Sequence, residues 1–317
     1  MGDPGGVGPE IIARALSSPE VKKCCTPVVI GDAYVMEAAL KLLNSTIKLM
    51  SIKSPDESKP LTKTIDLIDL GTTKKFKKKI PTAEAGRACV SYIKKAVELA
   101  LDRQVDGIVT APISKEALKM AGFKWPGHTE MLSDLTNTKD YAMMLVGGPL
   151  KVILVTIHTA LKNVPDLVTK QRVLKTIRLA KKACDMLKVK NPRIAVAAIN
   201  PHAGETGIFG DEEIKKIIPA IRESAREGIP VSGPYPPDTI FHKAYKGDVD
   251  IVICMYHDQG LIPLKMIAFD TGVNFTIGLP FVRTSPDHGT AYDIAWKGIA
   301  NPSSMIEAIK LAAKLKI

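Results

Sequence analysis

Short apolar runs alternate along this chain with amphipathic stretches whose apolar positions return every three or four residues, an alternation that predicts α/β organisation. The runs at 27–30, 65–70, 107–110, 151–158, 193–200, 250–256 and 274–277 predict strands. The stretches at 82–101, 171–187, 211–227 and 303–316 predict helices, the second of them starting near the Pro165-Asp166 pair. The third follows a glycine-rich turn over 204–210, with Asp211 as a fitting N-cap and acidic residues in its first turn, as the helix dipole favours. One local pattern is odd. Gly2-Asp3-Pro4-Gly5-Gly6-Val7-Gly8-Pro9-Glu10 reads as a loop entering a helix at 11–16, yet only Met1 stands where such a loop normally has a strand. That pattern predicts a chain that starts late, short of an edge or central strand.

Neither internal repeats nor long low-complexity linkers interrupt the alternation, and 317 residues allow one large domain or two ordinary ones. Hydrophobic content of 45% and charged content of 24% are those of a globular protein. No apolar run approaches the ~20 residues of a membrane helix, and the N-terminus lacks the basic-then-apolar order of a signal peptide. The five cysteines include the adjacent Cys24 and Cys25 but no C-x-x-C, which predicts reduced thiols in a cytoplasmic protein rather than a disulfide scaffold or cysteine zinc site.

Net charge of +11 raises nucleic acid, anionic membrane or anionic substrate as partners. The lysines are spread along the chain, with one dense run, Lys74-Lys75-Phe76-Lys77-Lys78-Lys79, read as a solvated surface. With 5% aromatic residues and no nucleic-acid-binding motif, neither nucleic acid nor membrane is expected as a partner.

The residues able to carry chemistry recur just beyond the carboxyl ends of the predicted strands, where open α/β sheets bind ligands, so a cleft between two lobes is expected. Of six histidines, His158, His202 and His257 each follow a predicted strand. Three neutral imidazoles suit a borderline divalent ion such as zinc, cobalt or iron and leave positions open for substrate. Singly, each histidine also fits a structural role. Three in equivalent positions favour one shared site. Asp258 and Asp238 fit outer partners, further ligands or a general base, and equally loop caps.

A second group suits a phosphate. Gly127-His128-Thr129-Glu130 reads as a turn opening a helix, whose N–H groups and Thr129 can hold an anion. Lys265, Asn274 and Arg283 add charge and donors, although Lys265 and Arg283 also fit ordinary surface charges and Thr129 an ordinary cap. A third feature, 287–295 followed by 297–302, is a polar glycine-bearing loop leading into a short helix. No G-x-G-x-x-G follows a strand, and Gly5-Gly6-Val7-Gly8 lacks the lysine and hydroxyl of a P-loop, so neither an ordinary dinucleotide fingerprint nor an ATP site is supported.

At these strings the sequence resembles the 4-hydroxythreonine-4-phosphate dehydrogenase family of pyridoxal phosphate synthesis. The matching strings, 2–10, 127–130, 200–205, 209–213, 256–260 and 278–291, run nearly end to end. The resemblance implies two α/β/α lobes around a cleft, as in isocitrate and isopropylmalate dehydrogenases: residues 1–127 with 279–317 on the nucleotide side, and 128–278 carrying metal, substrate and dimer contacts. It implies a divalent zinc, cobalt or magnesium ion on His158, His202 and His257, in a site completed across a homodimer. It also implies that His128, Thr129, Lys265, Asn274 and Arg283 bind substrate and its phosphate. The loop with His288, Gly289, Thr290, Ala291, Asp293 and Asn301 is similar to the adenosine loop of isopropylmalate dehydrogenases. There Asp293 would face the ribose and favour NAD over NADP, since a carboxylate repels a 2′-phosphate.

The activity so implied is oxidation of the C3 hydroxyl of 4-phosphohydroxy-L-threonine, then decarboxylation to 3-amino-2-oxopropyl phosphate, with Asp258, Asp238 and Lys265 as catalytic candidates. The strings 140–143, 208–213 and 292–296 look closer to a branch similar to D-threonate and D-erythronate 4-phosphate dehydrogenases, whose product would be dihydroxyacetone phosphate. Two other classes remain. A metal-dependent phosphate-ester hydrolase or transferase would need no nicotinamide, and a phospholigand-binding protein would leave the histidines without purpose.

Overall fold

The computed structural model describes residues 1–59, 63–73 and 75–315. Lys74 of the basic run and Lys316, the last residue of the fourth expected helix, lie outside them. The chain divides into two compact units, Met1–Lys139 with Leu279–Leu315, and Asp140–Gly278.

The first unit opens with the glycine-rich loop and α1 (Gly8–Ser17), which has Pro9 in its first turn, where a missing N–H costs nothing. Then come α2 (Pro19–Cys24), β1 (Val28–Gly31), α3 (Ala33–Leu42), β2 (Lys48–Ser51) and β3 (Thr64–Asp69). These strands form a parallel sheet in the order β1-β3-β2. Helix α4 (Ala83–Leu101) starts where Thr82 accepts the Ala85 N–H at 3.1 Å, and it buries Val90, Ile93 and Val97 against Ile108 and Leu118. Strand β4 (Gly107–Val109) and helices α5 (Lys115–Met120) and α6 (His128–Leu135) follow. No strand precedes α1 among the described residues; the Met1 amino nitrogen donates to the Ile30 carbonyl at 2.9 Å.

The second unit holds β5 (Ala142–Gly147), β6 (Leu150–Leu154), α7 (Val164–Leu167), α8 (Lys170–Met186), β7 (Ile194–Ala197), α9 (Ile218–Arg226), β8 (Val231–Tyr235), α10 (Pro237–Lys246), β9 (Ile251–Cys254), α11 (His257–Ala268) and β10 (Val273–Ile277). Its strand order is β10-β5-β6-β9-β7-β8, with β6, β9, β7 and β8 parallel and β5 antiparallel to both neighbours. Strands β6, β7 and β9 read as continuous apolar runs because helices cover both faces of a parallel sheet. Leu150, Val152, Ala195, Val252 and Cys254 are buried with Ile240 of α10 and Leu264 of α11. The chain then returns to the first unit as β11 (Val282–Pro286), parallel to β4, and α12 (Ser303–Lys314).

The differences from the sequence expectations have local causes. The run at 151–158 stops being strand at Leu154, and the Thr156 hydroxyl donates instead to the Met255 carbonyl at 2.7 Å. Asp211 does not cap the helix after 204–210. Its carboxylate pairs with Lys215, and a π-helical turn at Glu213–Ile217 precedes α9. The short helix expected after the 287–295 loop is a succession of turns over 292–298, where Trp296 and Gly298 take φ of 58° and 71°. No helix among the described residues is long and apolar enough to cross a membrane.

Candidate functional site

In the second unit β6, β9 and β7 are parallel neighbours, so their carboxyl ends share one edge, and each is followed by a histidine. His158 comes four residues after β6, His257 opens α11 after β9, and His202 sits in the loop after β7. The rings of His158 and His257 lie 5.7 Å apart at 43°. Two imidazoles sharing one ion at about 2.1 Å have centroids roughly 5 to 6 Å apart, so this pair fits a common cation. His257 Nδ1 lies 2.7 Å from Asp258 Oδ1. A carboxylate there holds the Nδ1 proton and leaves Nε2 as the ligand nitrogen. Gln259 fixes the edge from beneath: its Oε1 accepts the Met255 N–H and its Nε2 donates to the Ala198 carbonyl, both at 2.7 Å.

His202 is presented differently. Residues 202–206 all take left-handed backbone angles, with φ of 51°, 56°, 79°, 40° and 56°, and only Gly204 among them is glycine. Such a conformation costs about 1–2 kcal/mol per non-glycine residue, so the surroundings must impose it. Glu213 does much of this from the π-turn. Only 1% exposed, it accepts from Ile199 N at 2.8 Å, Asn200 N at 2.9 Å and Asn200 Nδ2 at 2.9 Å. A Cβ at Gly204 would meet Glu213 Oε2 at 2.7 Å on a backbone with φ of 79°, both of which favour glycine there. The His202 ring lies 6.0 Å from that of Phe209. Among the described residues no three His, Cys, Asp or Glu side chains of one chain gather closely enough to cage an ion.

Of the other candidates in this unit, Asp258 and Asp238 are exposed, Asp238 in the first turn of α10. Lys265 lies on α11 with Nζ 6.0 Å from the Phe269 ring. Asn274 on β10 keeps a buried Oδ1 with no hydrogen-bond partner among the described residues.

The first unit holds a second, buried polar group. Arg283 on β11 is 2% exposed, and its Nη2 donates to Thr110 Oγ1 at 2.7 Å. Burial lowers its pKa to about 10, with Glu130 opposing the fall. His128 opens α6, and its Nε2 is buried with no hydrogen-bond partner among the described residues, even though other atoms of the residue reach solvent. Burial, then the charges of Arg283 and the Met1 amino group, hold His128 well below the usual histidine range. A buried guanidinium, a neutral imidazole and the N-terminus of α6 with Thr129 are groups of the kind that can hold an anion. His128 and Thr110 also line a cavity of about 100 Å³.

Also in this unit, the loop at 287–301 is interlocked with the chain's first residues. Val7 N donates to the Thr290 carbonyl at 3.0 Å, the Tyr292 hydroxyl to Asp3 at 2.7 Å, and Trp296 Nε1 to the Pro4 carbonyl at 3.0 Å. Buried Glu10 accepts from the N–H groups of Trp296 and Gly298. His288, Gly289 and Asp293 stay exposed, Ala291 takes φ of 43°, and Asn301 accepts from Ser303 at the start of α12. Asp3, Glu10, Thr110, Glu213 and Gln259 were not singled out from sequence. All but Thr110 lie inside the strings that carry the resemblance, and their signal was an acid or amide within a glycine- or histidine-bearing loop.

Comparison with known proteins bears on the family and the fold. The family described as pyridoxal phosphate biosynthetic protein PdxA matches residues 23–312. A 4-hydroxythreonine-4-phosphate dehydrogenase of Desulforapulum autotrophicum is 48% identical over 319 residues, covering 99% of this chain and 93% of that one. A D-threonate 4-phosphate dehydrogenase of Cupriavidus necator is 46% identical, covering 99% and 95%. The crystal structure of a 4-hydroxythreonine-4-phosphate dehydrogenase from Klebsiella pneumoniae superposes with a TM-score of 0.92 at 44% identity, covering 99% and 96%. With the α/β fold, the histidine edge and these end-to-end matches together, the chain belongs to the PdxA family.

Proposed function

We propose that this chain is a nicotinamide- and divalent-metal-dependent dehydrogenase that oxidises the C3 hydroxyl of 4-phosphohydroxy-L-threonine, with loss of carbon dioxide from the resulting β-keto acid. The observation that carries the reading is the histidine pair at the edge of three parallel strands, in a chain that matches dehydrogenases over nearly its whole length. His158 and His257, with His202 as a third ligand, would hold the metal, zinc, cobalt or magnesium. The ion would supply a Lewis acid that lowers the pKa of the substrate hydroxyl, and NAD would supply a hydride acceptor.

The chain's own residues bind and orient. In the first unit Arg283, neutral His128 and Thr129 hold the phosphate; in the second Lys265 and Asn274 are the substrate-binding candidates. Asp258 is engaged by His257, so removal of the hydroxyl proton falls to Asp238. Asp293 and the rest of the 288–301 loop take the adenosine end. A homodimer completes the site, its second copy adding a ligand beside His158 and His202, which are exposed, and His257, which is about one-third exposed. The outer face of α11 supports the same reading: Ile262, Met266 and Phe269 are 59%, 81% and 76% exposed. The five free cysteines support a cytosolic setting.

The relatives' names divide between 4-hydroxythreonine and D-threonate 4-phosphates, so one assay addresses both. NADH formation is measured with 4-phosphohydroxy-L-threonine, D-threonate 4-phosphate and D-erythronate 4-phosphate, before and after dialysis against a chelator. The expected result is activity lost on dialysis and restored by metal, highest with 4-phosphohydroxy-L-threonine. Inactivity with all three in the folded, metal-loaded protein would sink the reading.

A further inference from the structure

The basic run looked like an ordinary solvated surface in the sequence, but its position is specific. Lys79 N donates to the Gly5 carbonyl at 2.8 Å. A Cβ at Gly5 would lie 2.6 Å from the Lys77 carbonyl, and one at Gly6 would lie 3.0 Å from the Thr290 carbonyl. Glycine at 5 and 6 thus lets three backbones stack: the basic segment, the N-terminal loop and the loop read as the adenosine site. Aromatic contacts tie the first to the third. The Phe76 and Trp296 rings are 4.9 Å apart, and Lys78 Nζ lies 4.5 Å above the Trp296 ring.

Lys75, Lys77, Lys78 and Lys79 are all exposed, and no carboxylate forms an ion pair with them among the described residues. Ammonium groups so close in sequence fall within one Debye length, about 8 Å at physiological salt, and repel one another. A fastened segment cannot relieve this by moving apart. A phosphate brought beside it would.

We propose that the 75–79 segment is a phosphate-recognition element of the dinucleotide site, its lysines holding a phosphate of the cofactor beside the 288–293 loop. The proposal rests on the dinucleotide reading above. The phosphate has two sources, the diphosphate bridge common to NAD and NADP or the 2′-phosphate of NADP alone.

The test is calorimetric binding of NAD and of NADP to Lys77→Gln/Lys79→Gln, which leaves the Lys78–Trp296 contact in place. A charge-matched control, Lys182→Gln/Lys190→Gln, alters exposed lysines of the other unit. The expected result is a dissociation constant raised about tenfold with a weaker salt dependence, and no change in the control. An equal loss for NAD and NADP assigns the diphosphate, and a loss confined to NADP assigns the 2′-phosphate. Wild-type protein that binds dinucleotide no better than the variant overturns this proposal alone. Wild-type protein that binds neither dinucleotide overturns the cofactor reading and this proposal with it.

Discussion

The two polar groups of this protein solve opposite physical problems. In the second unit ligand-type side chains sit at or near the surface: His158 and His202 are exposed on loops after parallel strands, and His257, about one-third exposed, opens α11 after a third. Their side chains cost little to keep in water, and the expense lies in the backbone, where four non-glycine residues of 202–206 are left-handed. In the first unit the backbone around Arg283 is regular strand and the expense lies in burial, with a guanidinium 2% exposed beside an imidazole held neutral. The contrast teaches that one site stores its strain in conformation and the other in desolvation. Mutations should therefore separate activity from stability differently in each.

The largest effect is expected at the exposed edge. His257→Ala should lower metal-dependent turnover by about a thousandfold, since Lewis-acid stabilisation supplies several kcal/mol. Its unfolding free energy should stay within about 1 kcal/mol of the parent. Full turnover, or a collapse in stability, would break the comparison. Next, Glu213→Gln replaces one of two accepting oxygens by a donor facing N–H groups. It should cost about 2–3 kcal/mol of stability by denaturant unfolding and weaken metal binding about tenfold; intact metal affinity would mean that the left-handed loop does not position His202.

The smallest effect concerns pH. His128 is held well below its ordinary value near 6.5, so below that pH the unfolded chain binds a proton that the native chain refuses. Its contribution is therefore complete above about pH 6.5 and falls as pH drops, with a slope of up to about 1.4 kcal/mol per pH unit. In His128→Asn the decline in melting temperature between pH 7 and 5 should be shallower. An identical decline would place the titrating group elsewhere.

Much of the architecture was legible because buried parallel strands are continuous apolar runs and the long helices keep their period; β6, β7, β9, α4 and α8 all show this. Strands with a different environment were not. Edge strand β2 is largely exposed, β8 contains Gly233 and Pro234, and β11 reads Val-Arg-Thr-Ser-Pro although every residue of it is buried. Arg283 shows the limit most clearly. By composition it is a surface charge, and only the pairing of β11 with β4 puts Thr110 and Arg283 together in the interior.

From sequence alone came the α/β alternation, three histidines after strands and the strings that carry the family, because periodicity and short-range motifs are local properties of a chain. Tertiary structure decided which strands are neighbours. It made His158 and His257 a pair, placed His202 on a left-handed loop, and turned Glu213 inward to hold that loop. It also laid Phe76 and Lys78 of the basic run against Trp296. None of these follows from local pattern, since each depends on residues far apart in sequence meeting where burial, close packing and hydrogen bonding leave one arrangement.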